Sequence, residues 1–140
     1  MGKHCPCLIL AILLFKANVI FSQQKQNVYE LKKQLTEARA DTVRFRILDL
    51  IATDYLWYAD QTDSAFSYAS AEMEMAGKLN QPLYTAEAYL NSGWWFTSTA
   101  AFGTAIELFT KARHLAEENH FNTILVKAYQ ALCVSYSSLG

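Results

Sequence analysis

From residue 27 onward the apolar residues recur at steps of three and four, the spacing that lines one face of an α-helix. Val28, Leu31, Leu35 and Ala38 outline a short leading helix. Asp41 and Thr42 offer a cap, and Val43, Phe45, Ile47, Leu48, Ile51, Ala52 and Tyr55 trace the next helix. The polar run Asp60-Gln61-Thr62-Asp63-Ser64 interrupts the pattern, so the chain turns there. Ala65, Tyr68, Ala69, Glu72, Met73, Met75, Ala76 and Leu79 make a third stripe that ends at Asn80-Gln81-Pro82. Proline stops one helix there and suits the first turn of another. Almost every segment has helical spacing, which predicts an all-α chain.

Residues 86–119, AEAYLNSGWWFTSTAAFGTAIELFTKARHLAEEN, carry a more specific pattern. Tyr89, Gly93 and Phe96 stand on a first helix, Phe102 in a turn, and Ala105, Phe109 and Ala112 on a second helix. Two antiparallel helices approach closely only where side chains are small. Gly93, Ala105 and Ala112 permit that approach, while Tyr89, Phe96 and Phe109 fill the spaces between. The set resembles the tetratricopeptide repeat, with Ser92 in place of the family's usual leucine and Glu117 where the family often has proline. Without that proline the second helix is expected to run to about Asn119.

The unit recurs. Ala128-Tyr129 lies 40 residues after Ala88-Tyr89, Tyr136 lies 40 after Phe96, and Ala65 lies 40 before Ala105. Leu48, Ile51, Ala52 and Tyr55 match the preceding first helix with one extra residue in the turn. A single hairpin cannot bury both its faces, so neighbours must stack on it. The resemblance therefore implies, for the chain after the leader, an all-α right-handed superhelix of five or six helices, stacked as antiparallel helical hairpins, with the tetratricopeptide-like α-solenoid over residues 42–140. A leading helix and linker occupy 23–41. The last hairpin is expected to be truncated, leaving Tyr129, Leu132 and Tyr136 as an uncovered apolar patch through which copies could self-associate.

Residues 1–22 bear on where the chain works. Lys3 and His4 precede the apolar run Leu8–Phe15, the layout of a secretory signal peptide, with cleavage expected near Ser22 or Gln23. A spanning helix is the poorer reading, because the run falls short of the ~20 residues a span needs. Lys16 also interrupts it, at ~2.5–3.5 kcal/mol for a lysine at mid-bilayer. An uncleaved anchor is the alternative. Cys5 and Cys7 lie in this segment, so the exported domain keeps only Cys133 and has no internal disulfide. Cys133 is expected to be a small buried residue on a helix.

Charge and composition narrow the partners. Twelve Lys and Arg against 13 Asp and Glu leave no surplus of cations for nucleic acid, and 52% hydrophobic residues are too many for a disordered chain. From Ile47 to Thr110 eight acids face the single cation Lys78, whereas residues 25–46 are rich in Lys and Arg. This asymmetry reads as solvated helix faces or as a device that orients a partner.

The order of an export signal, Leu31-Lys32-Lys33-Gln34-Leu35, then Ala38–Arg44, Asp63–Ala69 and Ala76-Gly77-Lys78-Leu79 is similar to a particular arrangement. It resembles the exported N-terminal repeat region of Bacteroidetes sensor histidine kinases and related membrane-bound regulators with DNA-binding output domains. That resemblance implies a sensing role on the periplasmic side of the inner membrane. It also implies a membrane span and an output domain beyond Gly140, of which this chain would be a fragment or truncated version. The alternative is a free-standing exported repeat scaffold without signalling output.

No catalytic constellation is present. His114 and His120 are six apart and face differently on a helix, and no Cys or carboxylate pairs with either at metal-ligand spacing. The chain has no nucleophile elbow, phosphate loop or dinucleotide turn. The reading is therefore a non-enzyme without cofactor or metal, and a protein or peptide as partner. First helices of successive hairpins line a concave groove. The positions outside the packing pattern there are Arg46, Asp49 and Thr53; Leu90, Asn91, Trp94 and Thr97; and Lys127, Gln130, Val134 and Ser137. Arg46, Asp49, Leu90, Asn91, Trp94, Lys127 and Gln130 are the candidate partner-binding residues. Trp94 is either a binding anchor or a contact with the next hairpin. Asn91 and Lys127 resemble two members of the family's carboxylate clamp, but Asp49, Thr53 and Ala131 stand at its other places.

Overall fold

A computed structural model of the protein describes residues 27–57 and 61–140, and the expected signal segment lies outside them. The described residues form six helices: α1 (residues 27–37), α2 (Asp41–Trp57), α3 (Thr62–Leu79), α4 (Pro82–Ser98), α5 (Phe102–Glu118) and α6 (Asn122–Leu139). Each of α2 to α5 packs on the next, and α4 also touches both α2 and α6, so hairpins α2/α3 and α4/α5 stack and α6 continues the stack. This is the solenoid of antiparallel helical hairpins that the repeat spacing implies.

The helices start on a strict 20-residue step, at 62, 82, 102 and 122. The turns between them repeat as well. Asn80, Ala100 and His120 all adopt the left-handed conformation, with φ of 49°, 59° and 58°. After Ala100 and His120 the chain closes with the same bond: Ala101 N–H donates to the Phe96 carbonyl and Phe121 N–H to the Ala116 carbonyl, each at 2.9 Å. These bonds satisfy carbonyls that a helix end otherwise leaves unpaired. Asn tolerates this conformation, whereas Ala100 and His120 hold it at ~1–2 kcal/mol each. Pro82 opens α4 at its first turn.

Small side chains govern the middle of the stack. Ala86, Ala105, Ala112, Ala116, Ala128 and Ala131 are fully buried around Phe109. Gly93 faces that ring directly: a Cβ there would lie 2.7 Å from Phe109 Cδ1 and 2.9 Å from Cζ. The close approach of α4 and α5 therefore depends on Gly93 having no side chain. Tyr89 and Phe96 pack half-buried along the edge of this core. Toward the start of the chain, Phe45, Leu48, Met75, Ala76 and Ala88 join α2, α3 and α4. Val28 and Leu31 seat α1 on Ile47 and Ile51.

Several expectations are corrected. Cys133 is exposed: it lies 40 residues after Gly93 but on the outer side of α6, where no described helix follows. Val43, in the first turn of α2, is exposed too. Asp41 lies inside the first turn of α2, and the Ala40 carbonyl accepts the first bonds, from Val43 and Arg44 N–H. α5 runs to Glu118 with Asn119 as its C-cap, in line with the extent expected of it. Tyr129 and Tyr136 are 52% and 58% exposed, as expected of the uncovered patch, whereas Leu132 is half-buried against the core, as are Tyr89 and Phe96.

Candidate functional site

The first helices α2, α4 and α6 stand side by side, so residues one repeat apart form rows across the concave face. Arg46, Glu87 and Lys127 form one row, Asp49, Leu90 and Gln130 the next, and Thr53, Trp94 and Val134 another. The seven candidate partner-binding residues, Arg46, Asp49, Leu90, Asn91, Trp94, Lys127 and Gln130, all border one cleft of about 370 Å³ together with Glu87 and Ile124. Leu90 and Ile124 are each only 4% exposed and form its floor, so Leu90 is a core residue with one edge on the cleft. Trp94 packs within its own hairpin and against the preceding one. Its ring meets Phe109 edge-on at 5.4 Å and Trp57 of the preceding first helix at 5.9 Å, and it also walls the cleft.

The remaining surface positions are spread more widely. Thr53 belongs to a smaller cavity shared with Trp57, Trp94 and Trp95. The Thr97 hydroxyl donates to the Gly93 carbonyl at 3.0 Å, and the Ser137 hydroxyl donates to the Val134 carbonyl at 2.8 Å.

Polar contacts tie the cleft walls together. Arg46 Nη1 pairs with Glu87 Oε2 at 2.7 Å, bridging α2 to α4. The Asn91 amide nitrogen donates to Asp49 Oδ1 and to Glu72 Oε1, each at 2.8 Å. Both amide hydrogens are thus spent on carboxyl groups, one from α2 and one from α3. Glu72 is wholly buried, and its second oxygen, Oε2, has no hydrogen-bond partner. Burial, reinforced by nearby Asp49, pushes the Glu72 carboxyl up to about 8, and the Asn91 bond only partly opposes this. Burial and Glu87 likewise raise Asp49, while Arg46 and Lys127 pull it back.

This arrangement argues against a carboxylate clamp. The Asn91 donors are occupied, and Arg46 is held by Glu87. Elsewhere, His114 pairs with Glu118 at 3.3 Å, and Tyr129 donates its hydroxyl to Glu117 at 2.9 Å. Among the described residues no three potential metal ligands converge, and no helix is long and apolar enough to cross a membrane.

Sequence reasoning missed Glu72 and Glu87. Glu87 sits between Arg46 and Lys127 in the repeat register, so the 40-residue spacing pointed to it. Glu72 sits at helical spacing among Ala65, Ala69 and Ala76, all buried, and an acid in such a stripe signals a buried carboxyl.

With the fold and cleft in view, a family model matches the chain. The SusR N-terminal TPR domain, a tetratricopeptide-repeat family, matches residues 15–139. The match spans most of the chain, and the chain belongs to this family. No curated protein and no solved structure matches it. Tetratricopeptide domains are in general repeat scaffolds that mediate protein–protein interactions, which supports a protein as partner in general.

Proposed function

We propose, with membership of that family as the premise, that the chain is the exported sensing region of a two-component-type signalling protein and binds a peptide or partner segment in its concave cleft. The observation that carries this reading is the convergence of residues from three first helices on one cleft. It has an apolar floor of Leu90 and Ile124, an aromatic wall at Trp94 and polar rims on α2 and α6. Its 370 Å³ lies within the ~300–1,000 Å³ typical of ligand sites. The family is named for an N-terminal domain, which supports an N-terminal position in a longer protein. The apolar leader and the motif order support a periplasmic position at the inner membrane, ahead of an output domain.

Two experiments test this. Random peptides displayed against the folded protein should yield binders that lose affinity with Trp94→Ala and Lys127→Glu. Binders indifferent to both changes would remove the cleft from the reading. The coding sequence beyond Gly140 should continue into a membrane span and a kinase or DNA-binding domain, whereas a stop codon would favour the free-standing scaffold. The same reading includes self-association through α6, where Tyr129, Val134, Tyr136 and Leu139 are exposed. Sedimentation should show a concentration-dependent dimer that Tyr136→Glu weakens, and a monomer at all concentrations would contradict it.

A further inference from the structure

Glu72 lies beneath the cleft and takes no part in lining it. It is a fully buried acid on α3, joined through one amide to a second carboxyl on α2. Asp49 Oδ1 and Glu72 Oε1 are both 2.8 Å from the same nitrogen, so they lie no more than twice that distance apart. Carboxylates that close do not both ionise without cost. The cations nearby are poorly placed to relieve the pair. Arg46 of α2 is engaged by Glu87 of α4, which adds a third negative charge, and Lys127 of α6 acts on Asp49 from across the cleft. An ionised Glu72 would carry an unpaired, dehydrated charge on Oε2. A neutral one leaves only an unpaired polar atom, which costs far less.

We propose that Asp49, Asn91 and Glu72 form a proton-held latch that fastens α3 to α2 and α4 and sets the position of the Asn91 wall of the cleft. While Glu72 holds its proton, the Asn91 amide satisfies one oxygen of each acid and the three helices are locked. Loss of the proton sets two like charges on either side of one amide and draws water toward Oε2. Asn91 borders the small cavity lined by Trp57, Trp94 and Trp95, so opening the latch alters the surroundings of those indoles. Glu72 titrates near 8, so the latch is closed in mildly acidic and neutral solution and opens in alkali. This device goes beyond ligand binding and is testable on the ligand-free chain, so it stands or falls separately from the groove reading.

The test is a pH titration of the full chain followed by carboxyl carbon NMR, amide NMR and tryptophan fluorescence. The Glu72 carboxyl is expected to titrate with a midpoint near 8. The Asn91 and Trp94 amides and the fluorescence should follow with the same midpoint. A Glu72 midpoint in the ordinary carboxylate range, or a Glu72 titration that leaves Asn91 and Trp94 unmoved, overturns the latch. Glu72→Gln mimics the protonated acid and should remove the fluorescence transition and hold the melting temperature flat from pH 6 to 9, where the wild type falls. If Glu72→Gln retains the wild-type pH profile, the latch is wrong. If that variant fails to fold, the NMR titration of the wild type decides alone.

Discussion

The two junctions along the stack are built on different physics. Between α4, α5 and α6 the contact is dry: six buried alanines, Gly93 and Phe109 mesh by size, with no charge in the cluster. Between α2, α3 and α4 a buried polar centre, Glu72 with Asn91 and Asp49, sits beside the apolar residues. A dry junction specified by volume has one good fit and is insensitive to solution conditions. A polar junction is specified by hydrogen bonds and by protons, so its strength depends on pH. The cleft borders both: its floor, Leu90 and Ile124, belongs to the dry cluster, and Asp49 and Asn91 of the polar centre stand in its wall.

The sharpest way to break the contrast is at its dry side. Phe109→Ala should cost ~3–5 kcal/mol by emptying the centre of the α4/α5 contact, and its destabilisation in denaturant titrations should be the same at pH 6 and pH 9. On the polar side the corresponding perturbation is pH itself. The Glu72 carboxyl rises from its ordinary 4.5 to about 8 on folding, so the folded chain holds more protons than the unfolded chain between those values. Stability therefore falls as pH rises through that window and levels off above it, by a loss of a few kcal/mol at about 1.4 kcal/mol per unit. Calorimetry from pH 5 to 9 should show this in the wild type.

Smaller changes sharpen the comparison. Gly93→Ala drives a methyl into the Phe109 ring and Ala112→Leu overfills the same contact, so each should lower stability by about 1–3 kcal/mol. An unchanged melting temperature for Gly93→Ala would mean that α4 and α5 are not apposed as described. The smallest effect lies in the turns: Ala100→Gly relieves a left-handed alanine and should raise stability by ~0.5–1 kcal/mol, read as a higher melting temperature.

Legibility in the sequence followed the range of the physics. Gly93, Ala105, Phe109 and Ala112 were readable because the alternation of small and large residues at helical spacing sets how two neighbouring helices meet. The rows of the concave face were readable from the 40-residue repeat, which also contained Glu87, although Glu87 was overlooked. Cys133 and Val43 were misread because periodicity reveals a face but not whether another element covers it. Glu72 was visible as an acid in an alanine stripe, yet its partner was not, since Asn91 lies 19 residues away on another helix and Asp49 lies on a third.

By itself the amino-acid sequence determined the helices, their 40-residue repeat and the small-residue positions where α4 and α5 touch, because these depend on local turns and side-chain size, which each segment carries with it. Only the tertiary structure decided which oxygens share the Asn91 amide, how dry Glu72 becomes and which apolar faces stay open. Hydrogen bonding, desolvation and burial are properties of groups brought together from distant parts of the chain.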